Sequence, residues 1–499
     1  MSWFILPTEL QLIVLEHLAQ LEFQNRIEHK PNAPYSTGTS LSKYVAVSEQ
    51  WQEFFEPRIM DTLHIGRHDI KMFAHVFRVE RRREYLRQIA LVIRLPDGVP
   101  PFRMMEDSKE SFIVDLVLQA DLVDFANMYG LPPSSGEVRN NIALMETVYA
   151  LLVQLSRWKA KHVRRGGIGL ELLADSQSSW QVIASQLTAF QRPIDFNGRS
   201  ISSVEQQWTI DAAMDNFFLS LDFETEHYQG PALEMPKVGV ITSLSIMRRS
   251  TRRFGCSMLA ELMGDLPALK HLVWEIEPMR SQSLESWFQD YLTEVARGGP
   301  RRMDSIQIVH LQPHIKYLRL NPDAPLIPSL SSNLADRAQY LQHLCISYPI
   351  DAFQFFKKAV RGKYPTLRSL TVWSKQRIVE RAPSTSHDLL RLVSRALFRM
   401  SNMQFLAVYN MGPSSAGLFT YDASGKFSGH GSLYRLCSSW HWELSREMRK
   451  FLWDSVLQRE SRGFTLRGEK LPTEEVKSLI STILEKSEAT GRDDKGVGM

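Results

Sequence analysis

Apolar side chains recur at helical spacing twice within the first sixty residues. Leu10, Ile13, Val14, Leu18 and Leu21 follow Pro7 and Thr8, with Glu9 near the positive end of the helix dipole, which predicts an amphipathic helix. Tyr44, Val47, Trp51, Phe54 and Phe55 cover one face of a second predicted helix, which Pro57 is expected to end. Between them, residues 30–42 are rich in turn formers, carry no periodicity and read as an exposed loop.

A basic, helix-like segment runs from Arg67 to Arg94 and includes Arg81-Arg82-Arg83, which reads as a solvated helix face. It leads into the β-rich run Ile89 to Ile93. Residues 96–108 and 130–140 carry Pro and Gly turn elements and read as loops, whereas Asn141 to Trp158 reads as an apolar helix. Residues 175–236 are polar and mixed, and their pattern assigns no element.

After residue 240 a short pattern repeats, with apolar positions at i, i+3 and i+5. Its copies are Ile241/Leu244/Ile246, Leu269/Leu272/Trp274, Ile315/Leu318/Leu320, Leu341/Leu344/Ile346, Leu367/Leu370/Val372 and Met403/Leu406/Val408. Each resembles the strand part of a leucine-rich repeat. Pro267 and Pro365 stand just before two copies, where they stop a helix. Segments such as Leu284 to Val295 and Ala352 to Val360 have helical spacing between copies. Strands alternating with helices predict a parallel sheet, because a parallel pair needs a long crossover. The steps between copies are irregular, and a plain open α/β sheet fits the residues as well as a solenoid does.

Near the end, Trp440-His441-Trp442 reads as a strand, and Ser445 as the cap of a helix carrying Met448, Leu452 and Val456. Val476, Leu479, Ile480, Ile483 and Leu484 predict an amphipathic helix over Thr473 to Glu485, followed by a polar, disordered tail.

Composition narrows the function classes. Lys and Arg number 59 against 55 Asp and Glu, a net charge of +4 over 499 residues, which is no electrostatic footprint for nucleic acid. Cys256, Cys345 and Cys437 are far apart and form no Cys-x-x-Cys pair, so they read as reduced thiols and not as a disulfide framework or zinc site. The first six residues lack the basic stretch of a secretory signal, and no apolar run approaches the ~20 residues that cross a bilayer. The expectation is a soluble protein of the cytoplasm or nucleus with no membrane partner. No Gly-x-Gly-x-x-Gly, Walker-type loop, His-Glu-x-x-His or Gly-x-Ser-x-Gly is present, so no cofactor, metal or catalytic residue is assigned, and the chain reads as a non-enzyme.

The N-terminal residues Leu6-Pro7-x-Glu9-Leu10-x-x-Ile13, then Leu18, and Val47-Ser48-x-x-Trp51 with Phe54 and Phe55, resemble the F-box. That module docks onto a Skp-type adaptor and so onto a cullin-based ubiquitin ligase. The resemblance implies an adaptor contact at Leu6, Pro7, Glu9, Leu10, Ile13, Val47 and Trp51. Leu471-Pro472-Thr473-Glu474 repeats Leu6-Pro7-Thr8-Glu9 without the second half of the motif, so the tetrapeptide by itself signals a helix start. Stretches such as Leu266-Pro-Ala-Leu-Lys-His-Leu, Tyr340-Leu-Gln-His-Leu-Cys-Ile-Ser, Tyr364-Pro-Thr-Leu-Arg-Ser-Leu and Ser439-Trp-His-Trp resemble a group of filamentous-fungal F-box-like proteins. The C-terminal domain of that group has no assigned function.

The implied α/β architecture is an F-box-like helical module (1–62), an irregular leucine-rich-repeat-like domain of alternating strands and helices (63–465), and a C-terminal helix with a tail (466–499). Its expected role is capture of a protein target for a ubiquitin ligase, with Arg248, Arg249, Arg252 and Arg253 as a possible target-binding turn. Two other readings remain open. The helices could cap the domain without any ubiquitin link, burying Leu6 and Pro7 near Ile89 to Ile93, or the chain could be an enzyme with a cryptic site.

Overall fold

The structure, a computed structural model, describes residues 7–29, 42–96, 135–175, 195–196, 199–200, 221, 223, 234–247, 254–275, 303–309, 328–346, 350–374, 383–411, 416–423, 433–438 and 465–493. It is a mixed α/β protein. Its helices are α1 (Thr8–His29), α2 (Ser42–Val45), α3 (Glu49–Met60), α4 (Ile70–Val76), α5 (Glu80–Tyr85), α6 (Ser135–Ser156), α7 (Cys256–Gly264), α8 (Pro328–Arg337), α9 (Ala352–Ala359), α10 (Pro383–Leu397) and α11 (Thr473–Asp493). The strands are β1 (Thr62–Gly66), β2 (Gln88–Arg94), β3 (Ile168–Asp175), β4 (Asp195–Phe196), β5 (Arg199–Ser200), β6 (Ile241–Ile246), β7 (His271–Glu275), β8 (Ser305–Val309), β9 (His343–Ile346), β10 (Ser369–Trp373), β11 (Phe405–Met411), β12 (Ala416–Asp422), β13 (Leu433–Ser438) and β14 (Thr465–Lys470).

Twelve strands form one sheet in the order β1-β2-β3-β6-β7-β8-β9-β10-β11-β12-β13-β14, while β4 and β5 make a separate hairpin. Every pair from β1 to β11 is parallel; β11-β12 and β12-β13 are antiparallel, and β13-β14 is parallel again. Each parallel strand lies beside its predecessor in the sequence, so the sheet grows in one direction. Consistent crossover handedness then places the connecting helices on one face.

The register explains the repeated pattern. Leu63, Ile89, Leu170, Leu244, Leu272, Ile306, Leu344, Leu370 and Leu406 form one row across nine strands. Two residues on, Ile65, Leu91, Leu172, Ile246, Trp274, Ile308, Ile346, Val372 and Val408 form the next. Both rows face the helices and share a core with Leu144, Val148, Leu151 and Leu155 of α6 and with Phe355 and Phe356 of α9. Burial of each such side chain contributes about 1.5–3 kcal/mol. The backbone repeats as well: the carbonyls of Asp61, Lys270, Asp304, Gln342 and Arg368 each accept two successive N–H groups from the residues that open the next strand.

Several expectations need correction. Pro57 lies inside α3, which continues to Met60, and the preceding aromatic stretch is split into α2 and α3. Residues 135–140 belong to α6 and not to a loop. Between β7 and β9 the described strand is β8, whose copy of the pattern is Met303/Ile306/Ile308; Ile315, Leu318 and Leu320 lie outside the described residues. The pattern also starts far earlier than residue 240, at Met60/Leu63/Ile65 and Leu86/Ile89/Leu91. Helix α11 runs on to Asp493, so part of the expected tail is helical. Most of the 30–42 loop, residues 284–295 and Trp440-His441-Trp442 lie outside the described residues.

The second face of the sheet changes character along its length. From β9 onward Cys345, Phe405, Ala407, Tyr409, Leu418 and Cys437 form an apolar floor, covered by Val476, Ile480 and Leu484 of α11. From β2 to β8 it combines polar pairs, Gln88 Nε2 2.7 Å from Glu171 Oε2 and His271 Nδ1 2.9 Å from Ser305 Oγ, with a small apolar cluster of Ala90, Val92 and Leu173.

Candidate partner-binding surface

Among the described side chains of α1, Gln11 and Glu16 tie the helix to α3. Gln11 and Leu15, one turn apart, are buried; Gln11 accepts a hydrogen bond from Gln50 Nε2, and Glu16 pairs with Arg58 at 2.6 Å. Across α2 and α3, Tyr44, Trp51 and Phe55 form an aromatic cluster with ring centroids 5.3–5.8 Å apart. Ser48 caps α3 by accepting the Trp51 N–H, which fixes the start of the Val47-Ser48-x-x-Trp51 segment. The Arg58 guanidinium stacks 3.7 Å from the centre of the Phe54 ring.

Several apolar side chains of α1 are exposed, Leu12 at 46% among them. Leu10 is 46%, Ile13 62% and Val14 40% accessible, and their i, i+3, i+4 spacing puts them on one face. Val47, at the start of the second motif half, is 57% accessible. Pro7 and Glu9 are exposed and Trp51 is half-buried in the aromatic cluster. Pro7 also opens α1, its carbonyl accepting the Gln11 N–H at 3.0 Å; Pro472 does the same for Val476 at the start of α11, at 3.1 Å. Leu6 lies outside the described residues.

This helical unit is joined rigidly to the sheet. Asp61 alone separates α3 from β1, and Met60 packs against the main core. Glu56 of α3, buried, binds Arg82 Nε at 2.7 Å and Arg81 at 3.2 Å on α5, and Asp61 pairs with Arg87 at 2.6 Å. Sequence reading found the apolar positions of α1 and missed Glu56 and its arginines, whose roles need the fold to bring α3 and α5 together.

Arg248, Arg249, Arg252 and Arg253 lie outside the described residues. Among the described residues no three His, Cys, Asp or Glu side chains group to hold a metal ion, and no helix is long and apolar enough to cross a membrane. Burial raises the pKa of the Asp265 carboxyl, with Lys237 opposing and Glu234 adding to the shift, and burial beside Asp336 raises the Tyr364 phenol.

Over residues 288–486 the chain is similar to a family of unknown function, DUF6546. That stretch begins before β8 and ends within α11, so it takes in the antiparallel end of the sheet and its covering helix but none of α1 to α6. A search of curated proteins gives no match.

Proposed function

We propose that this chain is the target-recognition subunit of a Skp/cullin-type ubiquitin ligase, with an F-box-like module at α1–α3 and a leucine-rich-repeat-like α/β domain that captures a protein. The observation that carries the reading is the exposure of Leu10, Ile13 and Val14 on one face of α1, with Val47 of the second motif half also exposed, while Gln11 and Glu16 tie α1 to α3. An exposed apolar stripe on a preformed helix suits a partner's groove, since little conformational entropy is left to lose. A purely capping role calls for burial of the Leu-Pro start; Pro7 is exposed, and α3 and β1 occupy the edge of the sheet.

The single-direction parallel sheet, with one apolar pair of rows repeated over nine strands, supports the leucine-rich-repeat-like description. A rigid link through Glu56 would hold adaptor and target at a fixed separation, so the chain supplies proximity and orientation to an enzyme elsewhere. Co-purification of a Skp-type adaptor with the intact chain, and its loss from a folded Leu6→Ala/Pro7→Ala variant, tests the proposal. Retention by neither chain returns the helices to a structural role.

A further inference from the structure

The turns that lead into β2 and β3 lie side by side at one edge of the sheet, because the two strands are parallel neighbours with Gln88 opposite Gly169. The Gly169 N–H donates to the Arg87 carbonyl at 2.8 Å across this junction. Residues 78–87 and 157–165 hold ten Lys and Arg against two Glu, a net charge of +8, whereas the whole chain carries only +4. The rest of the chain is therefore net acidic, at −4.

Half of that charge has a structural use or is partly covered. Arg81 and Arg82 bind Glu56, Arg87 binds Asp61, and Arg83 donates to the Phe77 and Arg78 carbonyls beneath the Trp158 ring. Arg164 is half-buried. Arg78, Arg157, Lys159, Lys161 and Arg165 are exposed and form no ion pair among the described residues.

These cations are presented on a fixed backbone. Trp158 packs against Phe73 and Phe77 at 5.5 and 5.7 Å, His162 pairs with Glu80, and Thr242 Oγ1 donates to the Gly166 carbonyl at 2.6 Å. Gly167 sits at φ 79° with Thr242 and the Val240 carbonyl so close that a Cβ would collide, so the turn has one shape.

We propose that this surface docks an acidic protein segment, rich in Asp and Glu, by charge complementarity. A protein is favoured over a nucleic acid because the Trp158 ring is already packed by Phe73, Phe77 and Arg83 and offers no platform for base stacking. Val79, 45% exposed between Arg78 and the arginines of α5, provides an apolar point of contact of the kind a peptide side chain uses. The inference goes beyond the adaptor reading and does not rest on it, since it is tested with the chain alone.

The test is fluorescence anisotropy with a labelled peptide of alternating Asp and Glu, titrated with the full chain at two salt concentrations. The expected result is binding that weakens as salt rises and falls at least tenfold in Lys159→Glu/Lys161→Glu/Arg165→Glu. A control, Arg361→Glu/Lys363→Glu/Arg399→Glu, makes the same charge change at exposed sites before β10 and β11 and should move affinity less than twofold. Both variants are checked for an unchanged circular dichroism spectrum. Equal losses in the two variants, no peptide binding at all, or tighter binding of a single-stranded oligonucleotide of equal charge would each overturn the proposal.

Discussion

Arg82 Nε lies 2.7 Å from Glu56 Oε1, a carboxylate only 3% exposed, and this pair joins the N-terminal helices to the first turn of the α/β domain. Arg81 reaches the other oxygen of the same carboxylate at 3.2 Å. Glu56 therefore serves two cations at once, and burying its charge is offset only while both helices keep their places.

Replacing Glu56 with Ala is expected to destabilise the chain by roughly 2–3 kcal/mol, below the full cost of breaking a buried pair because both arginines retain access to water. The shift in urea midpoint, measured beside Arg82→Ala and the double variant, checks it. Additive losses in the cycle would show that the two side chains do not act as a pair.

Tyr364 is fully buried, its hydroxyl has no hydrogen-bond partner among the described residues, and the ring occupies the space beside Gly362. A Cβ at residue 362 would stand 2.8–2.9 Å from that ring, so Gly362→Ala should cost about 1–3 kcal/mol. Tyr364→Phe removes an unpartnered hydroxyl and should be neutral or stabilising. It should also change the alkaline limit. Burial raises the phenol pKa above its ordinary value of 10.0, so the folded state holds a proton that the unfolded chain gives up. This contribution to stability is fully present below pH 10 and is lost as pH rises above it. Unfolding followed from neutral pH to above pH 10 should show a smaller alkaline loss in Tyr364→Phe; an identical profile would rule the account out.

Helix α11 covers an apolar floor that includes the buried thiols Cys345 and Cys437. Ile480→Asp should lift the helix and expose both sulfurs, raising their rate of reaction with a disulfide reagent by well over tenfold in a Cys256→Ser background. Unchanged rates in a folded variant would mean that the floor is shielded by something other than α11.

The apolar rows are legible in the sequence as an i, i+3, i+5 pattern at Leu341/Leu344/Ile346 and Leu367/Leu370/Val372, less so at Met60/Leu63/Ile65 and Leu86/Ile89/Leu91. The pattern involves three positions in six and is easily met, and the copy at Met303/Ile306/Ile308 shows only in the register of β8. Strand β3 was hidden for another reason: the register shifts between Ile168 and Gly169, which contracts the spacing to Ile168/Leu170/Leu172. Pro57 failed as a stop because α3 accommodates it in its last turn, where tertiary packing of Phe55 and Met60 outweighs the local preference. At the candidate surface, the apolar face of α1 followed from spacing, whereas the Glu56 anchor joins residues 25 and 26 positions apart and leaves no periodic trace.

The central claim is tested most directly by isothermal titration of a purified Skp-type adaptor into the intact chain and into Leu10→Asp/Ile13→Asp, both at exposed positions that leave Gln11 and Leu15 in place. The account predicts saturable binding by the intact chain and at least a hundredfold loss in the variant, with its circular dichroism spectrum and urea midpoint unchanged. Absence of binding by the intact chain, or equal affinity in the folded variant, would contradict it.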